Sequence, residues 1–474
     1  MHLSVKLSVP VLTLLCVIFA QAVGSAVRTS ITVDEGLHIA SGYSILRTGD
    51  FRLVEEHPPL VKLLEALPLL PVPNLPDPRA LPAWAEAAAP TAESLPLLHM
   101  AQQLIYPYRP IDRLVVAARI PSALLATLLG ALVFRWAADL GGDRAGLLAL
   151  FLLAFDPNVI AHAGVAGTDL GTACFITLAL FTLTRFLHRP TVPRLATAGA
   201  ALGLAQAAKL SAVLLLPVTA IAILLGLRKR RLASLALLLG AAGVTFWGVY
   251  GFEIGAAPGL PFPVPAAGHA IPWMRLLQHT AGGHPAFLLG ENSTQGWWYY
   301  FPVAFGLKTP LPTLILLAAA VVTGLRCHSP AHRRAKVQRW GALTLFPGLY
   351  FISSLFSNLN IGYRHLLPVL PCLFVAIGIL TRCAAFSTSR LTQYALRITL
   401  YALLAWLALG TLCLFPHYLA YFNELAGGPA GGYRYLADSN TDWGQAYKDL
   451  ARFQQERGIG PVRLSAFICL LYTS

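Results

Sequence analysis

Eleven separate apolar runs recur along this chain, and they limit its fold more than any other feature. A bilayer core of about 30 Å takes roughly 20 helical residues to cross, and a lipid-exposed backbone must satisfy its own polar groups, which leaves helices. The runs lie at 5–27, 114–138, 145–163, 169–187, 195–209, 210–227, 232–253, 303–325, 340–357, 366–381 and 398–417. With 56% hydrophobic and 12% charged residues, the remaining sequence supports no large soluble core. The expected fold class is therefore an all-α polytopic membrane protein of about 11 transmembrane helices, with periplasmic loops and the start of a small C-terminal α/β periplasmic unit.

Charge placement tests that count. The connections at 185–194, 228–231 ("RKRR"), 326–339 and 382–397 are basic and fall on one side, which the positive-inside rule makes cytoplasmic. A single long helix across 195–227 would move "RKRR" to the other side, so the reading is two helices turning near Lys209. On this topology the cytoplasmic side holds 18 Lys and Arg against 2 acids, so the net charge of +14 is topological. It calls for no nucleic-acid partner, and anionic membrane lipids account for the attraction. Seven cysteines show no metal spacing and no disulfide framework. The first run is read as a span rather than a signal peptide, because although Leu12 to Ala22 would fit a signal peptide's apolar core, only Lys6 supplies charge before it.

Three segments face outward: 28–113, 254–302 and 418 to the end. In the first, "PPLVKLLEALPLL" suits a short helix opened by proline, with Leu60, Leu63, Leu64 and Leu67 on the bilayer surface. In the third, "SNTDWGQAYKDLARFQQERG" reads as a helix capped by Ser439, with Asp442 three residues on, and stopped by Gly458; a strand-like "VRLSAF" follows. The organisation expected is a transmembrane domain over 1–417, with amphipathic helices in the first periplasmic loop at 28–113, and the start of a periplasmic region over 418–468. The last six residues, "CLLYTS", are what the end of a transposon-based sequencing adapter encodes in the frame TGT CTC TTA TAC ACA TCT. Residues 469–474 are accordingly read as foreign, and the native chain as continuing.

Asp34 and Glu35 stand just beyond the first span. Acids there serve as a solvated loop start or a helix cap, or else as a general base, since a carboxylate at a water-poor interface can accept a proton from an attacking hydroxyl. "EEHPPL" sets Glu55, Glu56 and His57 beside stiffening prolines, a surface turn or a place for a divalent cation or a phosphate. Arg119, Lys209 and Lys308 lie in the outer halves of spans, where burial costs about 2.5–3.5 kcal/mol without a partner. Arg364 and His365 reach the same face. Any one of these cations could snorkel to headgroups. Several at one depth point to a shared anion, and a lipid-linked phosphate fits the location. Asp169, at the outer end of the fourth run, either caps its helix or positions substrate.

The chain resembles the C-type superfamily of integral-membrane glycosyltransferases, in the branch that includes protein O-mannosyltransferases and the lipid A aminoarabinose transferase. The resemblance is carried by "DE" at Asp34 and Glu35, "EHPPL" at Glu56 to Leu60, and "TD" at Thr168 and Asp169. It continues through "YYFPVAFGLKTPLP" at Tyr299 to Pro312, "NIGYRHLLPVLP" at Asn360 to Pro371, and "YFNELAGGP" with "DSNTDWGQ" between Tyr421 and Gln445. It implies Asp34 as the catalytic carboxylate with Glu35 supporting, and Glu56 as the acid of a divalent cation, no other cofactor being implied. His57, Lys209, Lys308, Arg364 and His365 would hold the donor phosphate, with Asp169 and Arg119 positioning substrate. The implied partners are a polyprenyl-phosphate sugar, such as mannose or a related hexose or pentose, membrane lipids and a periplasmic acceptor. The implied place is a bacterial inner membrane, with the N-terminus cytoplasmic and the site and C-terminus periplasmic. "DSNTDWGQ" has no chemical role on this reading.

Overall fold

A computed structural model describes residues 5–88, 95–257, 260–326, 333–384 and 390–462. The chain opens with α1 (Val5–Arg28), then enters an outer region of short helices: α2 (Val33–Thr48), α3 (Leu60–Ala66), α4 (Pro82–Ala88) and α5 (Pro96–Leu104). The central pair is α6 (Ile111–Gly141) and α9 (Thr168–His188), with α7 (Asp143–Ala154) and α8 (Pro157–Ala163) between them. Then come α10 (Val192–Ala208), α11 (Leu215–Gly226) and α12 (Arg231–Val249). The outer α13 (Ala270–Gly282) lies between two small hairpins, 254–265 and 286–293. The remaining helices are α14 (Tyr300–Lys308), α15 (Leu311–Arg326), α16 (Arg333–Ser354), α17 (Leu370–Ala384), α18 (Arg390–Leu412) and the exposed α19 (Tyr447–Arg457).

Every expected run is largely helical, but not every one is a straight span. Among the described residues five helices are long and apolar enough to cross a membrane, and seven such spans result if each bent pair is one. The α7–α8 pair bends by 65° and the α14–α15 pair by 111°. Each break carries a proline, Pro157 or Pro310, which suits the start of a new helix but cannot continue an old one. At the first break Asp156 Oδ1 accepts from the N–H groups of Asn158 and Val159, both at 3.0 Å.

The turn expected near Lys209 is present: Lys209 is extended, and the chain then reverses. Lys209 meets Asp169 at the start of α9, whereas Gly226 at the end of α11 packs on Leu187 near the end of α9 and accepts from Gln338 Nε2 at 2.9 Å. Basic residues gather at that far end, where Arg135 and Arg185 face Asp139 and Arg194 Nη1 donates to the Arg185 carbonyl.

In α3, Leu60, Val61, Lys62, Glu65 and Ala66 are buried, Leu63 and Leu64 are half-buried, and the following Leu67 is exposed. Close approach decides this, because a Cβ on Gly42 of α2 would fall 2.0 Å from the Lys62 carbonyl oxygen, and one on Gly171 of α9 2.7 Å from Val61. The helix expected from Ser439 begins only at Tyr447; Asp438–Asn440 is a tight turn, and its side chains bond to other parts of the fold. Gly458 does stop that helix, in a left-handed conformation. Of the expected strand "VRLSAF", all beyond Val462 lies outside the described residues, as does 469–474.

Candidate active site

Asp34 and Glu35 occupy the first turn of α2, and successive side chains on a helix point about 100° apart. Glu35 turns into the protein. Its Oε1 accepts from Arg119 Nε at 2.6 Å and from the Ala166 N–H at 2.7 Å, and its Oε2 accepts from Arg119 Nη2 and the Thr32 N–H, both at 2.6 Å. Arg119 also donates to the carbonyls of Ala26 and Ser30, each at 2.6 Å. Both side chains are 0% exposed. Every strong acceptor of Glu35 and every donor of Arg119 is thus engaged inside the protein. They fasten the end of α1 and the start of α2 to α6.

Asp34 turns the other way. Its Oδ2 accepts from Arg364 Nη1 at 2.7 Å, and its side chain remains 29% exposed. The same Nη1 lies 3.9 Å from Asp169 Oδ2, and Asp169 Oδ1 accepts from Lys209 Nζ at 2.5 Å. Four expected site residues from four parts of the sequence thus form one chain of alternating charge. Arg364 is not used up: its Nε is buried without a partner, and its guanidinium lies 4.3 Å from the centre of the Trp443 ring. His365, beside it, lies within electrostatic reach of Lys209, Asp169 and Arg364.

His57 also faces this cluster. Burial, followed by the charges of Lys209 and Lys62, holds its imidazole well below the usual histidine range. Its Nδ1 lies 2.8 Å from the Glu56 carbonyl, so in the neutral ring Nδ1 carries the proton and Nε2 is left as an acceptor. Its neighbour Lys62 was not singled out from the sequence. This buried lysine donates to the carbonyls of Val54 and His57, bracing the "EHPP" loop from within. Burial brings its ammonium down to about 8, against the opposing pull of Glu55, Glu56 and Glu65.

Lys308 stands apart from the expected phosphate group. Its Nζ donates to the carbonyls of Leu419 at 2.8 Å and Asn440 at 2.6 Å, with the Phe422 ring centre 4.7 Å away. The anionic partner expected for it is a pair of carbonyl dipoles in the C-terminal segment. Glu56 is exposed and lies 3.9 Å from His279 Nδ1. Among the described residues no three His, Cys, Asp or Glu side chains gather closely enough to hold a metal ion.

Residues 111–249 match a family model described as dolichyl-phosphate-mannose-protein mannosyltransferase. No curated protein matches the sequence. Among solved structures, ArnT from Cupriavidus metallidurans bound to undecaprenyl phosphate is similar at a TM-score of 0.55 and 15% identity, over 96% of this chain and 74% of that one. Its apo state gives 0.50 and 14%, over 95% and 72%. The Archaeoglobus fulgidus oligosaccharyltransferase in its apo form gives 0.50 and 11%, over 98% of this chain and 61% of the other. With the order of its helices and the acid pair opening its first outer helix, the chain has the fold of the C-type integral-membrane glycosyltransferases, the superfamily its motifs resemble.

Proposed function

We propose that the protein is a glycosyltransferase that moves a sugar, mannose or a related hexose or pentose, from a polyprenyl-phosphate carrier to an acceptor on the periplasmic face of a bacterial inner membrane. The observation that carries this reading is Asp34, a partly exposed carboxylate steadied by one Arg364 nitrogen, beside a second acid–cation pair at Asp169 and Lys209. The matched family model and the undecaprenyl phosphate of the solved ArnT support a lipid-phosphate donor.

In the reaction, Asp34 takes the proton of an acceptor hydroxyl as its oxygen bonds to the sugar C1. The bond from C1 to the phosphate oxygen breaks on the opposite face, with inversion, and its electron pair leaves on the polyprenyl phosphate. The charge gained there is met by Lys209 and the unpartnered Nε of Arg364. Asp169 keeps Lys209 in place. The test is release of polyprenyl phosphate from radiolabelled polyprenyl-phosphate mannose by the purified chain and by Asp34→Asn, with cell-envelope extract as acceptor. Release by the parent and its loss in Asp34→Asn are expected; equal turnover in both would remove Asp34 as the base.

A further inference from the structure

The "DSNTDWGQ" segment, 438–445, takes no step in the reaction above, yet it touches both loops that carry the reaction's charged pair. We propose that Trp443 is a positioning residue, which fixes the plane of Arg364 and ties it to the backbone that presents Asp34. This inference rests on the function proposed above.

Two sets of contacts support it. On the backbone side, the Val33 N–H, immediately before Asp34, donates to the Trp443 carbonyl at 3.1 Å, and the Ser30 N–H donates to the Gln445 carbonyl at 2.9 Å. The Lys448 N–H donates to Ser30 Oγ at 2.8 Å, so the segment lies alongside residues 30–33 like a clasp. On the other side, the loop before Arg364 is held by the same segment. The Tyr363 N–H donates to Asn440 Oδ1 at 2.9 Å, and Ser439 Oγ donates to the Ile361 carbonyl at 3.2 Å.

The side chain of Trp443 then acts on the guanidinium itself. Arg364 is bonded through Nη1 to a carboxylate that is itself partly exposed, and its Nε has no partner, which leaves its plane weakly defined by hydrogen bonds. A flat ring 4.3 Å away supplies the missing restraint, since guanidinium stacks on an aromatic face. Trp443 is held in turn: it is 4% exposed with the His162 ring centre 6.1 Å away, its backbone N–H donates to Gln445 Oε1 at 2.6 Å, and Gln445 Nε2 donates to the Thr441 carbonyl at 2.9 Å. Lys308 anchors the far end of the segment through the Asn440 carbonyl.

The test is a double-mutant cycle on the full chain, read as turnover of polyprenyl-phosphate mannose. Trp443→Leu is expected to lower turnover about five- to thirtyfold, and Trp443→Phe, which keeps a ring face, less than about threefold. In an Arg364→Lys background, where no planar group remains to be oriented, Trp443→Leu is expected to change turnover less than about twofold. Equal losses in both backgrounds overturn the proposal and leave Trp443 a general packing residue. Trp443→Met carries the same cycle if Trp443→Leu does not accumulate. If the parent turns over no lipid-phosphate sugar, the proposed function fails, and the cycle is read in melting temperature. Non-additive shifts then sustain the Trp443–Arg364 coupling, and additive ones overturn it.

Discussion

Glu35 and Asp34 are adjacent acids, each paired with an arginine, yet the two pairs have opposite characters. The Glu35–Arg119 pair has 0% exposure, both carboxylate oxygens doubly occupied, and backbone groups at the remaining donors. The Asp34–Arg364 pair is partly open and leaves one buried arginine nitrogen unpartnered. A fully satisfied buried pair has no capacity left for a ligand and is costly to break. An incompletely satisfied one retains capacity for substrate, which is where function concentrates. The comparison separates a fastening from a site within two residues.

Breaking each pair in turn gives the largest effects. Asp34→Asn is expected to cut turnover by about 10²–10⁴-fold while changing unfolding free energy by less than about 1 kcal/mol. A matched fall in thermal stability would mean that Asp34 is a fastening too. Arg119→Leu strands the Glu35 carboxylate and is expected to cost about 3–5 kcal/mol of stability, read as a lower melting temperature in detergent. Adding Glu35→Gln to it should recover part of that loss, because the stranded charge is gone. Unchanged melting of Arg119→Leu would undo the contrast.

A smaller effect separates the two outer lysines. Lys308→Met leaves two buried carbonyls without their donor and should cost about 1–3 kcal/mol of stability, with the donor KM of the folded fraction unchanged. Lys209→Met is expected to raise that KM. A raised KM in Lys308→Met would return Lys308 to the phosphate group.

The smallest effect concerns pH. His38 lies one turn after Asp34, with its Nδ1 3.3 Å from the carbonyl of Ala166, the residue whose N–H holds Glu35. Burial, then the charge of Lys62, brings its imidazole down to about 4. Between that value and the usual 6.5 the unfolded chain binds more protons than the folded one, so stability falls as pH falls through this window. The expected loss from His38 is about 1 kcal/mol between pH 6.5 and 5.5, and His38→Gln should flatten that limb of a melting-temperature profile. An unchanged slope would show that His38 takes up its proton at the same pH in the fold as in the unfolded chain.

Much of the architecture was legible because hydrophobic runs and loop charges are properties of local sequence. The apolar helices, the turn at Lys209 and the approach of the 226–231 connection to the end of α9 all follow from length, periodicity and charge. Of the charges that stood out at the ends of apolar runs, Asp34, Asp169, Lys209 and Arg364 meet in space. Partner choice was not legible. Lys308 carries the same sequence signal as Lys209, yet one binds carbonyls and the other a carboxylate. Lys62 was hidden because a lysine in a short leucine-rich helix reads as its polar face, until glycines at 42 and 171 let that face pack inward.

The sequence by itself determined a helical membrane protein with acids and cations at the ends of its apolar runs, because burying apolar runs and excluding charge from lipid are decided residue by residue. Only the tertiary structure decided which acid is sealed and which is open. That choice depends on which arginine a helix turn of about 100° aims at, and on donors such as the Ala166 N–H, 131 positions away from Glu35 in the chain.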